Sequence, residues 1–236
     1  MLEQWGVPLA VFAMLLLTLV MAAVLNRYQA FQANVRVAVR RLDVGVAEVT
    51  AALDGLGRVP LSRELRLTLR SDILARYRKI RRLYRRYPAI DTKIRAAEAA
   101  INAEGGAPSG GVGPMENEQI FRKTIAALDC LIATLGGGHM LQPLPADVRV
   151  IFRRELGERR AEAMSRFHLV EAKRHERQGN ATRSRTHLIA LVQALRQRGP
   201  GTGFVRELLS EAESALASLN EGQLNSQAML IGVDAA

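Results

Sequence analysis

The chain has 236 residues, 48% of them hydrophobic, 24% charged and 5% aromatic, and a formal net charge of +10. That length and apolar share suit one helical domain or two small ones with a buried core. A single cysteine, Cys130, excludes an internal disulfide framework and fits a reducing compartment. Alanine, leucine and arginine dominate and strand-forming runs are scarce, so the fold class reads as all-α.

The first element is GVPLAVFAMLLLTLVMAAVL, Gly6 to Leu25, without a charged residue. A helix needs about 20 apolar residues to cross the hydrocarbon core, so residues 1–25 are predicted to form a single N-terminal transmembrane helix. A cleaved signal peptide is the rival reading. Against it stand Glu3 with no Lys or Arg ahead of the span, a run long for a leader, and no small-x-small site behind it. Arg27, Arg36, Arg40 and Arg41 follow the span. The positive-inside rule then predicts a single-pass inner-membrane protein with its N-terminus outside and everything from Asn26 onward in the cytoplasm. Trp5 and Tyr28 bracket the span where interfacial aromatics belong.

Residues 26–104 are predicted to form a basic, membrane-proximal helical hairpin. Of the 33 Lys and Arg and 23 Asp and Glu in the chain, 15 basic and 5 acidic residues lie between Arg27 and Tyr87, and the remaining 18 and 18 cancel. Val35, Leu42, Val49 and Leu56 recur every seven residues, with Val39, Val46 and Leu53 between them, a helix-packing seam of about three heptads. Such a seam serves a coiled coil, and with it a homo-oligomer, or ordinary packing inside the hairpin. GLGRVP, Gly55 to Pro60, predicts the turn. A second helix then runs from about Leu61, with Ser62 as its cap, to Tyr87, and Asp91 opens a third to about Ala103.

The second helix ends in YRKIRRLYRRY, Tyr77 to Tyr87. At 1.5 Å per residue an antiparallel return of about 40 Å carries this stretch back to the level of Tyr28 to Phe31. Arg78, Lys79, Arg81, Arg82, Arg85 and Arg86, with Tyr77, Tyr84 and Tyr87, are therefore the candidate contacts to anionic lipid, where each nearby Lys or Arg is worth about 1 kcal/mol. The rival is a membrane-tethered nucleic-acid binder. Arg63, Arg66 and Arg70 would extend that row along phosphates, with the tyrosines stacking on bases. No nucleic-acid motif accompanies it, so nucleic acid is the less favoured partner.

GGAPSGGVGP, Gly105 to Pro114, reads as a Gly/Pro linker. A distal helical module is predicted over 115–219. Its helices span about Glu116–Leu135, Val148–Gln178 with Asp147 as cap, Ala181–Arg198 beyond the QGN turn, and Phe204–Leu219. A weakly ordered tail, 220–236, follows.

The helix–QGN–helix unit over Ala163 to Leu195 resembles a tetratricopeptide-type hairpin, with Ala172 and Ser184 at its small positions, Leu188 at a bulky one and Gly179 in the turn. Glu171 and Ala181 depart from that pattern, standing where leucine and an aromatic are usual. The likeness implies a tetratricopeptide-type repeat array, which needs about three such units, and an ordinary helical bundle is the alternative. The segment NRYQAFQANVRVAVRRLDV, Asn26 to Val44, is similar to the start of the LemA family on Val35, Ala38, Leu42, Asp43 and Val44. It implies an anchor followed by long antiparallel helices, although the Arg-Arg and Ile-Pro-Asn-Leu pattern that follows in that family is missing.

No site of chemistry is read from the sequence. Of the four histidines, His139, His168, His175 and His187, the spacing allows His168 and His175 to share one helix face with Glu171, but no cysteine or further carboxylate cluster is placed to finish a site, so neither a metal nor a cofactor is assigned. Cys130 lacks an identifiable base and reads as a small core residue. The glycine runs lack the Lys-Ser/Thr ending of a phosphate loop. No enzyme is expected. The sequence predicts a membrane-anchored helical scaffold or adaptor that holds a protein partner through the distal module and touches lipid through the basic helix.

Overall fold

The computed structural model describes the backbone of residues 2–105, 111–115, 117–137 and 140–233, and the side chains from Phe12 to Glu221 within those stretches apart from Ala13. The fold is all-α, with no strand among the described residues. In chain order the helices are α1 (Leu2–Gly55), α2 (Arg63–Leu83), α3 (Ile90–Asn102), α4 (Glu118–Gly136), α5 (Ala146–Arg177), α6 (Ala181–Arg198) and α7 (Gly203–Val233). The predicted tail begins inside α7, because Leu216 to Val233 offers Gly222 and Gly232 but no proline to stop the helix.

α1 is one unbroken helix of 54 residues, about 80 Å at 1.5 Å per residue. Its two halves live in different surroundings. From Phe12 to Leu25 the large apolar side chains stand bare, Leu19 at 73% exposure and Met14 at 71%. Such a band has no place in water, and α1 is long and apolar enough to cross a membrane. From Val35 onward the helix buries one face, with Val39, Val46, Val49 and Ala52 inside, and Leu56 in the turn beyond it is buried too.

The turn after α1 delivers Val59 and Leu61 into the core. Ser62 then caps α2, its hydroxyl accepting from the Leu65 N–H at 3.3 Å while donating to Glu155 Oε2 at 2.7 Å. α2 stops at Leu83, four residues short of the expected end. Tyr84 is extended at φ −144° and ψ 90°, and a turn through Pro88 leads to Ala89 in the left-handed region at φ 54°. The residue ahead of a proline avoids the helical region, so Tyr87 was a poor place to keep coiling.

The main core runs without a break through α1, α2, α4 and α5, from Val46 to Phe167. Residues 111–115 belong to it. Val112 is fully buried, its N–H donates to Glu162 Oε1 at 2.8 Å, and the Gly113 N–H donates to the Arg58 carbonyl at 2.8 Å. At Gly111 an added Cβ would overlap the Glu162 carboxylate and the Arg166 guanidinium. The glycine there permits close approach, which composition alone reads as slack. Residues 106–110 of the expected linker lie outside the described residues. A second cluster joins α5, α6 and α7 around Leu191, Leu195 and Val205, and a third holds Val39 of α1 against Ile80, Ile90 and Ile94.

At the distal end, α6 has the expected bounds. Gly179 takes φ 71° in the QGN turn, and the Asn180 side chain accepts from the Arg183 N–H at 3.2 Å. α5 begins two residues earlier than expected, with Pro145 at its N-cap. Asp147 therefore sits in the first turn, where its charge suits the helix dipole, and does not cap.

Candidate functional site

A buried ion pair within α2 stands ahead of the basic segment and packs against α1. Asp72 and Arg76, 1% and 6% exposed, meet at 2.7 Å between Oδ2 and Nε, and Asp72 Oδ1 accepts the Leu141 N–H at 2.6 Å. The Arg76 guanidinium lies on Gly45 of α1, where any Cβ would overlap it. An arginine that interrupts the apolar stripe of α2 is thus accommodated by a glycine 31 positions away. Its tip is a packing element inside the fold.

The next contacts fix the height of the cluster above the span. The Tyr87 hydroxyl donates to Asp43 Oδ1 at 2.5 Å, and Lys93 Nζ lies 3.8 Å from the same carboxylate and 4.9 Å from the Tyr87 ring centroid. Burial and the Asp43 carboxylate push the Tyr87 phenol up to about 12. Tyr77 is half-buried under Lys93 and is raised chiefly by burial. Tyr77 and Tyr87 therefore pack within the protein, and of the three candidate tyrosines Tyr84 alone is exposed, at 45%.

The stretch also sits farther along α1 from the apolar band than expected. It lies level with Val35 to Asp43, not Tyr28 to Phe31. α2 begins at Arg63 and ends at Leu83, so the return leg is 21 residues. Val35 is about 15 Å and Asp43 about 27 Å beyond Leu25 along the helix axis. The headgroup layer takes up about 5–7 Å of that, and charge is screened beyond about 8 Å at physiological salt. The stretch is therefore nearest the apolar band where α2 ends, and Tyr87 in the following turn, bonded to Asp43, lies farther from it.

The same end carries the unpaired charge. Arg78 pairs with Glu98 at 2.8 Å and Arg81 with Asp91 at 3.3 Å, both across to α3. Lys79, Arg82, Arg85 and Arg86 are exposed and meet no carboxylate among the described residues. Farther down, Arg66 and Arg70 both bind Glu104, at 2.5 and 2.8 Å. The continuous row of free arginines that a nucleic-acid reading calls for is broken there.

The seam residues are spent inside the chain. Val39, Val46, Val49 and Leu56 are buried against the α2, α3 and α4 clusters, and Val35, Leu42 and Leu53 are packed on them. Single Val39→Cys and Val46→Cys chains are accordingly expected to give no disulfide-linked dimer under mild oxidation on a non-reducing gel. A dimer band at either position would mean that the seam opens to a second copy.

The α5–α6 hairpin brings together three histidines, two of which the sequence had set on one face. His168 Nδ1 lies 3.2 Å from His187 Nδ1, and the His175 ring stacks on His187 with centroids 5.4 Å apart. Phe121 and Phe167, stacked at 4.1 Å, wall the cluster. His139 lies outside the described residues. Burial, with His187 alongside, holds His168 down at about 4, and burial and then His175 lower His187, against the opposing pull of Glu171 and Glu118. A depressed imidazole favours the folded state above its ordinary value near 6.5 and loses that contribution as pH falls towards 4. With chelator present, thermal stability is expected to fall between pH 7 and 5, and less steeply in His168→Phe. Parallel slopes for the two chains would contradict the assignment. Cys130 is a half-buried thiol packed on the main core, raised by burial and then by Glu48.

Compared with protein-family models, curated proteins and solved structures, the chain matches none. The tetratricopeptide-like and LemA-like resemblances therefore rest on the residues quoted for them alone.

Proposed function

We propose that the protein is a membrane-anchored cytoplasmic scaffold or adaptor that holds a helical body at the inner membrane for a protein partner. The observation that carries this reading is α1 itself: one helix with a bare apolar band at one end and a face built into the protein core at the other. An anchor joined by a flexible tether would let the body wander. A helix continuous from span to core carries the body at a set height and orientation. The positive-inside asymmetry argues for the body on the cytoplasmic side. The α5–α6 hairpin, tetratricopeptide-like in its small and bulky positions, is the surface we assign to the partner. Exposed Lys79, Arg82, Arg85 and Arg86 add a contact to anionic lipid.

Membrane fractionation with alkaline carbonate tests the anchor. The full chain is expected to stay in the pellet, and a chain starting at Arg27 is expected to move largely to the supernatant. Full extraction of the intact chain would overturn the reading, because an integral helix resists carbonate while a peripheral one does not.

A further inference from the structure

The geometry points to a transition-metal site on the α5–α6 hairpin, in which Glu171, His175 and His187 hold one divalent ion of the zinc class. One ligand atom from each of these three side chains lies within 4.8 Å of the other two. Around tetrahedral zinc, with bonds of about 2.0–2.2 Å, neighbouring ligand atoms stand about 3.4 Å apart. Modest rotations of two imidazoles and a glutamate close that gap, since the backbone already holds them on adjoining helix faces. Glu171 and His175 are four residues apart on α5, so they project together, and His187 comes from the facing turn of α6.

Two further observations point to a ligand. His175 Nδ1 is buried without any hydrogen-bond partner, a cost that coordination would remove. His168 Nδ1 sits 3.2 Å from His187 Nδ1. When His187 Nδ1 donates to His168, the tautomer is fixed and His187 Nε2 is left as the ligand atom. A histidine ligand is ordinarily oriented in this way by a partner on its other nitrogen. His168 is then a positioning residue. Two imidazoles with one carboxylate favour zinc and its neighbours over magnesium or calcium, which require oxygen ligands throughout. Arg174, 3.5 Å from Glu171 and 64% exposed, is the only cation near that carboxylate among the described ion pairs and is free to swing away. The fourth position is open to water. Bound in this way, the ion would clamp α5 to α6.

The test is a titration of the full chain in detergent micelles with Zn2+, followed by calorimetry, alongside Co2+ as a visible-absorption reporter of geometry. The expected result is one Zn2+ per chain with a Kd of about 10 µM or tighter. His187→Gln, His175→Gln and Glu171→Gln should each weaken binding at least about tenfold. His139→Gln should leave it unchanged, which separates this cluster from adventitious imidazole binding. Far-ultraviolet circular dichroism checks that each variant is folded. Should a histidine variant not fold, Glu171→Gln and the Co2+ spectrum of the parent chain decide. Absence of stoichiometric binding overturns the proposal. So does an affinity indifferent to Glu171→Gln, or a Co2+ spectrum of a fully hydrated ion.

Discussion

Asp72→Ala is expected to lower the unfolding free energy by about 3–5 kcal/mol, the usual loss when one member of a buried ion pair is removed. Asp72 is 1% exposed and faces Arg76 at 2.7 Å, while its other oxygen accepts the Leu141 N–H at 2.6 Å. Without the carboxylate, a guanidinium remains in the core against Gly45, and the Leu141 amide loses its acceptor. Urea denaturation of the full chain in detergent, followed by circular dichroism, measures the loss. The double variant Asp72→Leu with Arg76→Met should recover the share due to the stranded guanidinium, because an apolar pair of similar volume carries no desolvation cost, while the Leu141 N–H still lacks its acceptor. A single variant within about 1 kcal/mol of the parent, the size of an exposed pair, would mean that the pair is solvated.

Glu162→Ala is expected to cost about 2–3 kcal/mol, the range for hydrogen bonds to a charged group with a buried donor left behind. The Glu162 carboxylate receives the Val112 N–H at 2.8 Å and pairs with Arg159 at 2.9 Å and Arg166 at 3.0 Å. It therefore fastens residues 111–115 across α5, with Val112 beneath. Limited proteolysis gives a second readout. The variant should be cut between Gly105 and Met115 faster than the parent, and the parent should unfold in one transition because its main core bridges the segment. Equal cleavage rates, or two separate unfolding transitions in the parent, would restore the reading of a free linker between two modules.

The sequence announced the helices more clearly than their company. Apolar periodicity and the QGN turn gave α6 its bounds, and Ser62 signalled the start of α2 because caps act within a few residues. The end of α2 was hidden, since RRLYRRY contains good helix formers. What ends it is Pro88 together with a tyrosine that reaches Asp43, 44 residues earlier in the chain. The burial of Arg76 was hidden because its accommodation at Gly45 belongs to another helix. The glycines of 105–114 read as a spacer, although a glycine suits slack and tight approach alike. His187 was missed for the same reason: its neighbours His168 and Glu171 were legible on α5, but the register across the hairpin comes from packing such as Ala172 on Leu188.

That packing also sets the body on which the central claim is tested. Every described buried cluster lies between Val35 and Leu219, so the soluble body to measure is residues 27–219; a shorter piece holding the hairpin alone would lack α4 and α5. The decisive measurement is its binding to liposomes with and without anionic lipid, over a salt series and with duplex and single-stranded DNA as competitors. The account predicts salt-sensitive binding to anionic liposomes that DNA fails to displace. Replacing Arg82, Arg85 and Arg86 with glutamine should weaken it about 100-fold, at about 1 kcal/mol per charge. Replacing Arg78, which is already paired with Glu98, should cost far less. Binding indifferent to lipid charge, or DNA binding that outcompetes the vesicles, would contradict the account and make the exposed arginines a nucleic-acid grip.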